Sequence, residues 1–387
     1  MTEFNAFILD DDEFILRALQ RTLKRLVPNW QLHFFQTSFD LLHHLPTATA
    51  LHLVISDRMM PDCLGEEVLA AVQQQRPDAI RCLLTADTSA EIVIQDCNFI
   101  HHFLAKPFTE ADLTRVFQSV EHLESLPLSP ELRRHLGHLS HLPILPALFF
   151  DLQRLCRSSD ATAVQLAEKA SQDPVLAGRL LQLANSPFMG YSRQTLELDE
   201  AVMRLGFDLV LSIAIMLYAQ HQLQSALDEQ SHQQLIKQCW QRAGLCQHIA
   251  HAAGFMKELQ DKAYMLGLLS GLGELVLAVS PELKQQSAPT ELTDSITAYL
   301  LTLWGFDATL RHALMLQSSQ LNLLQEADLL QFCLRSANAC SARQLAGPQA
   351  EIAMFDLPNH TPQRLRQTLQ TLWHQAEQAQ LPDLGAF

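Results

Sequence analysis

The sequence lacks several patterns that mark common functional classes. It has eight cysteines but no CxxC pair, and their spacings do not match a zinc site. It has no run of Lys and Arg, and 42 acidic residues stand against 27 basic ones, for a formal net charge of −15. A surface of this charge repels phosphate backbones and anionic lipids, so neither nucleic-acid binding nor membrane binding is expected as the main activity.

Signals for export and for membrane insertion are also missing. The first residues, MTEFNAFILDDDE, show no basic region followed by an apolar run, so no signal peptide is expected. The most apolar stretch, Leu205 to Ala219, contains Asp208 and is short for crossing a bilayer. Most cysteines lie in apolar contexts, as reduced core thiols do. These features predict a soluble protein of the cytoplasm.

What the chain does contain is enough apolar sequence for more than one packed domain. It has 387 residues, of which 48% are hydrophobic, and this length favours two or three domains. Near the N-terminus, short apolar runs alternate with amphipathic helical patterns. The predicted strands are 6–9, 32–35, 53–56, 80–84 and 103–105. This alternation predicts a parallel sheet covered by helices on both faces, with functional residues at the carboxyl ends of the strands.

From Leu126 onward the composition changes. The segment LPLSPELRRHLGHLSHLPILP is rich in proline and histidine and is predicted to be a linker. After it we find only helical periodicities, with a helix start at Asp173-Pro174. The predicted organisation is an α/β domain over 1–122, a linker over 123–142, an all-helical domain over 143–350, and a partly helical C-terminal extension over 351–387.

Acidic residues gather where the predicted strands end. Asp10 and Asp11 follow the first strand, and Asp57 follows the third. Neighbouring ends of parallel strands bring these carboxylates close together, and three such charges call for a cation such as Mg²⁺. Asp12 extends the acidic run, so the pair could also be shifted by one residue.

A hydroxyl and an amine are predicted at the same edge of the sheet. Thr85 ends the fourth strand and Lys106 follows the fifth. A carboxylate nucleophile, a divalent cation, a lysine and a hydroxyl are what phosphoryl transfer to an aspartate requires. An Asp after a strand is often only a turn or helix cap, but suitable residue types at four strand ends favour the functional interpretation.

These residues carry a resemblance to a known family. The segments FILDDDEFILRAL, LVISDRMMP, LLTAD and FLAKPF resemble the response-regulator receiver domain, which has a flavodoxin-like sheet of order 2-1-3-4-5. The resemblance implies that Asp57 is the phosphoacceptor and that Asp10, Asp11 and the backbone carbonyl of Met59 help to bind Mg²⁺. It further implies that Thr85 and Lys106 contact the phosphoryl group. Phe103 falls at the family's aromatic switch position, although it could equally be a plain core residue.

The second region resembles another family. The segments LPILPALFFDLQRL, SQDPVLAGRLLQLANSPFMG and LDEAVMRLGFDLVLSIAI resemble the HDOD domain, an all-helical relative of the HD phosphohydrolases. Active HD enzymes bind metal through His and Asp residues. The corresponding positions here are Arg242, Ser270, Gly271, Thr293, Gln317 and Ser318. None is a strong metal ligand, so we expect an HDOD-like domain without a cofactor and without catalysis.

Together these features predict a two-component response regulator that is not an enzyme. A sensor histidine kinase or phosphotransfer protein would phosphorylate Asp57, and the helical domain would bind an unidentified signalling protein, with a role in cyclic-dinucleotide signalling suggested only by analogy. An alternative is a receiver-regulated HD-type phosphohydrolase or cyclic-dinucleotide phosphodiesterase, which the missing ligands disfavour. A DNA-binding transcription factor is disfavoured by the acidity. The sequence leaves open whether the protein forms a homodimer.

Overall fold

The computed structural model describes most of the chain. The described residues are 4–47, 50–86, 100–138, 142, 144, 146–156, 158, 160–186, 189–191, 193–224, 227–280, 283, 289–306, 308–315, 325–346 and 363–377.

The N-terminal domain is built on a parallel sheet of five strands in the order β2-β1-β3-β4-β5. The strands are β1 (Phe4–Leu9), β2 (Trp30–Phe35), β3 (Leu53–Asp57), β4 (Ile80–Thr85) and β5 (His102–Ala105). The helices are α1 (Glu13–Leu26), α2 (Ser38–His44, followed by the 3₁₀ turn Leu45–Thr47), α3 (Gly65–Gln75) and α4 (Glu110–Ser125). The predicted α/β class and strand order are therefore confirmed.

Local sequence accounts for these elements. Every residue of β3 is buried, as expected for a central strand with helices on both faces. Helix α1 begins after Asp12, whose side chain accepts a hydrogen bond from the backbone N–H of Phe14. Its buried residues, Leu16, Leu19 and Leu23, recur at the spacing of one helical face. Strand β3 therefore places its last residue, Asp57, at the edge of the sheet. The capped helix α1 fixes the direction of the chain after β1.

The segment predicted as a linker contains a helix, α5 (Pro130–His138). Leu132 and Leu136 are buried, and Arg133 Nη2 donates to the backbone carbonyls of Glu124 and Leu126 at 3.0 and 3.1 Å. The sequence prediction overlooked this helix because the flanking prolines and histidines dominate the composition of the segment. The described part of the connection is thus packed and hydrogen-bonded.

Among the described residues of the C-terminal domain, every regular element is a helix, which confirms the predicted all-helical class. Its helices are α6 (Pro146–Cys156), α7 (Ala163–Ala170), α8 (Pro174–Ala184), α9 (Leu198–Leu205), α10 (Phe207–Gln224), α11 (Glu229–Ala252), α12 (Lys257–Leu269), α13 (Leu272–Val279), α14 (Pro289–Leu303), α15 (Ala308–Met315), α16 (Glu326–Ala346) and α17 (Gln363–Glu377). Helix α11 packs against α12, α16 and α17, and α8 is buried along its whole length.

Close packing in this domain depends on small residues. A Cβ atom at Gly178 would lie 2.5 Å from the ring of Trp304, so only glycine lets α8 approach that side chain. The segment Lys257–Val279 is apolar and long enough to span a membrane, but 72% of its most apolar 18-residue window is buried inside the protein. This burial is typical of core helices.

The two domains contact each other through β5 and α4. Ser186 Oγ, just beyond the end of α8, donates to the backbone carbonyl of Phe103 in β5 at 3.4 Å. Helix α4 packs against α14. The strand that carries Phe103 is therefore part of both the receiver sheet and the contact with the helical domain.

Candidate functional site

Three carboxylates lie together at the carboxyl edge of the sheet. Oxygen atoms of Asp10, Asp11 and Asp57 are all within 4.8 Å of one another. The register of β1 and β3 explains this arrangement, because Leu9 pairs with Ser56 and the next residues of both strands reach the same edge. Asp10 and Asp57 are buried, whereas Asp11 is exposed. The group is thus a pocket that opens to solvent on the side of Asp11.

Lys106 joins the two buried carboxylates of this pocket. Its Nζ lies 2.7 Å from Asp57 Oδ1 and 3.0 Å from Asp10 Oδ2. Burial raises the pKa of Asp10 above its usual value, although the Lys106 contact and the backbone N–H of Asp12 lower it in part. Burial alone would lower the pKa of Lys106, but hydrogen bonds to Asp57 and Asp10 raise it above its usual value. Lys106 therefore carries its positive charge at neutral pH.

Two further predicted residues lie on β4 and β5. Thr85 is the last residue of β4 and is buried next to the position that pairs with Asp57. Its backbone carbonyl accepts a hydrogen bond from the N–H of Lys106 at 2.7 Å. Phe103 in β5 pairs with Leu83 and is only 3% exposed. The structure thus connects Thr85 directly to the backbone that positions the lysine, and places Phe103 in the core near the interdomain contact.

The consecutive acids Asp10, Asp11 and Asp12 make different contacts. Asp10 and Asp11 belong to the carboxylate group, whereas the Asp12 side chain caps α1. Asp12 also donates its backbone N–H to Asp10 Oδ1 at 3.0 Å, which helps to orient that carboxylate. The geometry therefore favours the register chosen from the sequence over the one shifted by a residue.

The segment after Asp57 contains Met59, which was predicted from the sequence, and Gly65, which the sequence analysis missed. Met59 exposes its side chain and forms a bridge with Leu64, so any contribution to a metal site would come from its backbone. A Cβ atom at Gly65 would lie 2.1 Å from the backbone carbonyl oxygen of Asp57. Gly65 is therefore needed for the loop to return against the strand end. A glycine at the first position of a helix, shortly after the candidate nucleophile, was the available signal.

The donor atoms of this pocket fit a hard divalent cation. Asp10, Asp11 and Asp57 supply only oxygen ligands, and one side is open for water or for phosphoryl oxygens. Mg²⁺ prefers a small number of carboxylates combined with water or phosphate oxygens. Among the described residues, no other group of three or more His, Cys, Asp and Glu side chains converges in this way.

The positions aligned with HD metal ligands form a different centre. Arg242 in α11 donates from Nη1 to Ser270 Oγ at 3.0 Å and from Nη2 to Glu274 Oε1 at 2.6 Å. Gly271 follows Ser270 and lies against α11, where a Cβ atom would be 2.0 Å from Cys239 Sγ. The structure thus brings Arg242, Ser270 and Gly271 together at the junction of α11, α12 and α13.

The remaining aligned positions contribute less. The backbone of Thr293, in α14, lies close to Gly273, where a Cβ atom would be 2.1 Å from the Thr293 carbonyl oxygen. Gln317 and Ser318 lie outside the described residues. Two acids at this centre were missed from the sequence, Glu274 and Asp294. Burial raises the pKa of Asp294 to about 6; the charge of Arg242 lowers it and that of Glu274 raises it.

Comparison with known proteins identifies both domains. A family model described as the response regulator receiver domain matches residues 6–118, and one described as the HDOD domain matches residues 142–290. The chain is therefore a protein of the response-regulator class. More particularly, it carries an N-terminal receiver domain and a C-terminal HDOD domain.

Individual relatives cover only parts of the chain. An uncharacterized protein of Treponema pallidum is 31% identical over 138 residues, which are 36% of this chain and 26% of that protein. The MmoQ response regulator of Methylococcus capsulatus is 24% identical, with a TM-score of 0.48, over 60% of this chain and 98% of that structure. The signal receiver domain of an HD domain-containing protein from Pseudomonas fluorescens is 29% identical, with a TM-score of 0.30, over 32% of this chain and 92% of that structure.

Proposed function

We propose that this protein is a phosphorylation-controlled response regulator whose HDOD domain signals by binding another protein and does not catalyse a reaction. A sensor histidine kinase or a phosphotransfer protein donates the phosphoryl group to Asp57. The observation that carries the proposal is the contact of Lys106 Nζ with both Asp57 and Asp10 beside the exposed Asp11. The proposed location is the cytoplasm, where such phosphodonors present their phosphoryl groups.

The proposed chemistry is a displacement at phosphorus. A carboxylate oxygen of Asp57 forms a bond to phosphorus while the bond from phosphorus to the donor histidine nitrogen breaks. Asp10, Asp11, Asp57 and the backbone carbonyl of Met59 would hold Mg²⁺, which when bound supplies positive charge to the phosphoryl oxygens. Lys106 supplies a second positive charge, and the Thr85 hydroxyl provides a hydrogen-bonding group.

The route to the output domain is proposed to pass through β5. Thr85 Oγ would move toward the phosphoryl group on Asp57, and the β4–β5 edge would repack around Phe103. Because the carbonyl of Phe103 accepts a hydrogen bond from Ser186, repacking there alters an interdomain contact. A change of charge on one aspartate can shift the equilibrium between two conformations of a structural element, here the β4–β5 edge. The HDOD domain would then expose or hide a surface for its partner, and an enzyme of cyclic-dinucleotide turnover is a candidate partner by analogy only.

The absence of catalysis is proposed from the centre at Arg242. A hydrolase of the HD type needs imidazole and carboxylate ligands that hold a cation and lower the pKa of a bound water. Here a guanidinium, a serine and a glycine stand at the aligned positions of α11 and the α12–α13 junction. A fixed positive charge at that place opposes metal binding. This arrangement disfavours the alternative of a receiver-regulated phosphodiesterase.

Phosphorylation of the purified protein with labelled acetyl phosphate tests the first part of the proposal. We expect labelling that requires Mg²⁺ and is lost in Asp57→Asn. A matched control is Asp62→Asn, because Asp62 lies in the same loop but its carboxylate accepts hydrogen bonds from Ser38 outside the pocket. Acid-labile label that persists in Asp57→Asn would show that another residue is the phosphoacceptor.

The output is tested by affinity capture with two baits, the untreated protein and the protein treated with beryllofluoride, which stands in for the phosphoryl group. We expect one bait to retain a protein that the other does not, and Asp57→Asn to remove the difference. Identical captures would contradict control by Asp57. Phosphodiesterase and nucleotidase assays of the full chain should show no turnover above a mock purification.

A further inference from the structure

A single buried guanidinium lies at the junction of three helices in the HDOD domain. Arg242 is 9% exposed and reaches from α11 to the end of α12 and the first turn of α13. Its Nη atoms bind Ser270 and Glu274, while its Nε is buried and has no hydrogen-bond partner among the residues that the structure describes. Burying a charged group in this way is costly unless opposite charge compensates it.

Opposite charge near Arg242 comes from two other helices. Glu274 in α13 lies 2.6 Å away, and Asp294 in α14 is close enough for its charge to interact with both side chains. Burial alone would lower the pKa of Arg242, but the charge and hydrogen bond of Glu274 raise it above its usual value. Arg242, Glu274 and Asp294 come from three different helices, α11, α13 and α14. The charges of this centre therefore link separate helices.

The location of this charge is the second observation. Arg242 donates a hydrogen bond to Ser270. In the sequence, both residues stand at positions where the resemblance to HD enzymes implies metal ligands. A bound metal ion would contribute positive charge between helices at that point. We propose that the guanidinium of Arg242 is a built-in cation that takes the place of a metal ion at the centre of the HDOD domain. It holds α11 to the α12–α13 junction and offsets the charges of Glu274 and Asp294.

The inference does not depend on phosphorylation of Asp57. The receiver could accept a phosphoryl group normally even if Arg242 proved dispensable, and the centre could depend on Arg242 even if Asp57 were never phosphorylated. The two proposals therefore fail in different assays, one in phosphorylation and one in thermal unfolding.

Thermal unfolding of the full-length protein and its variants tests the charge of Arg242. We expect Arg242→Met to lower the melting temperature by several degrees and Arg242→Lys to recover most of that loss. Combining Arg242→Met with Glu274→Gln should also recover most of it, because the unpaired carboxylate is removed. The control is Arg204→Met, since the Arg204 side chain is also buried but its ion-pair partner, Glu200, lies in the same helix. Its longer contacts with Ala184 and Asn185, both at 3.4 Å, involve no opposite charge. A melting temperature of Arg242→Met equal to that of the wild type would overturn the proposal.

If Arg242→Met does not fold, the double variant with Arg242→Met and Glu274→Gln provides the test. Folding restored by Glu274→Gln would support a role as a cation, since both changes together leave the centre neutral at that pair. A double variant that also fails to fold would mean that the arginine side chain is required for packing, and the proposal would be wrong.

A second measurement asks whether a metal ion can replace the guanidinium. The background is Asp11→Asn with Asp57→Asn, which weakens cation binding by the receiver, and the added change is Arg242→Ser, which shortens the side chain. We expect Mn²⁺ to raise the melting temperature of this variant more than that of the background protein or of the same background with Arg204→Ser. An equal response in all three would show that Arg242 is an ordinary ion pair and does not replace a metal.

Discussion

The receiver domain and the HDOD domain each pair one cationic side chain with nearby acids, but they do so in opposite settings. Lys106 lies between Asp10 and Asp57 at the open edge of a sheet, beside the exposed Asp11. Arg242 lies beside Glu274, with Asp294 near, at a buried junction of helices. A lysine ammonium is a point charge on a flexible stem, whereas a guanidinium is a rigid fork that holds fixed partners.

The difference teaches what makes a charged centre reactive. In the receiver, the carboxylates converge to within 4.8 Å and one of them is exposed, so a cation or a phosphoryl group can enter. In the HDOD domain, the guanidinium itself fills the space and bonds to its neighbours. The first centre is therefore suited to a ligand, and the second to holding helices together. Substitutions at the receiver centre should therefore change phosphorylation, and substitutions at the HDOD centre should change stability.

The largest effect is expected from removing each cation. Lys106→Met should lower the rate of phosphorylation by about a hundredfold, because one positive group at the developing charge is lost. Arg242→Met should leave that rate close to the wild-type value while it lowers the melting temperature. Labelling kinetics and thermal unfolding of both variants check this. A similar loss of phosphorylation in the two variants would mean that the two centres are coupled.

Backbone contacts give the next test, because both domains contain a glycine pressed against a carbonyl oxygen. A Cβ atom would lie 2.1 Å from the Asp57 oxygen at Gly65, and 2.1 Å from the Thr293 oxygen at Gly273. Each Gly→Ala change should cost on the order of 1–3 kcal/mol of stability. Only Gly65→Ala should also slow phosphorylation, since it displaces the nucleophile. Loss of phosphorylation in Gly273→Ala, measured on folded protein, would argue against separate functions.

Asp11 and Asp12, which follow Asp10, should differ in their effects on Mg²⁺ binding and on stability. Asp11→Ala should weaken Mg²⁺ binding by at least about tenfold, because a ligand carboxylate is lost. Asp12→Ala should leave Mg²⁺ binding nearly unchanged and cost about 1 kcal/mol of stability, because it removes the cap of α1. Titration calorimetry with Mg²⁺ and urea unfolding separate the two effects. The reverse ranking would show that the metal site uses Asp12.

How much of this could be predicted from the sequence differs between the two centres. The positions of Asp10, Asp57 and Lys106 at one edge of the sheet followed from strand alternation, because parallel strands carry residues to one edge by simple periodicity. The order of the strands came instead from the resemblance to the receiver domain. The centre at Arg242 could not be assembled in this way. Which faces of α11, α13 and α14 meet depends on side-chain packing that periodicity leaves open, so Glu274 and Asp294 were missed. Helix α5 was missed because the composition around it is typical of linkers.

The last test concerns Asp294, whose titration reports on the centre at Arg242 and not on the receiver pocket. Its pKa in the folded protein is about 6, above the ordinary value of 3.8, chiefly because of burial. The folded state therefore holds a proton on Asp294 more tightly than the unfolded state does. This favourable contribution is present below pH 3.8 and is lost as the pH rises through about 6. Asp294→Asn should remove that dependence, because an amide does not titrate.

The variant should be more stable than the wild type at pH 7.5 by on the order of 1–3 kcal/mol, and the advantage should shrink as the pH falls toward 5. Urea unfolding of both proteins between pH 5 and pH 8 measures this difference. Asp208→Asn, at an exposed acid near the start of α10, is the control and should show no comparable trend. An Asp294→Asn curve parallel to the wild-type curve would mean that Arg242 keeps Asp294 ionised throughout this range.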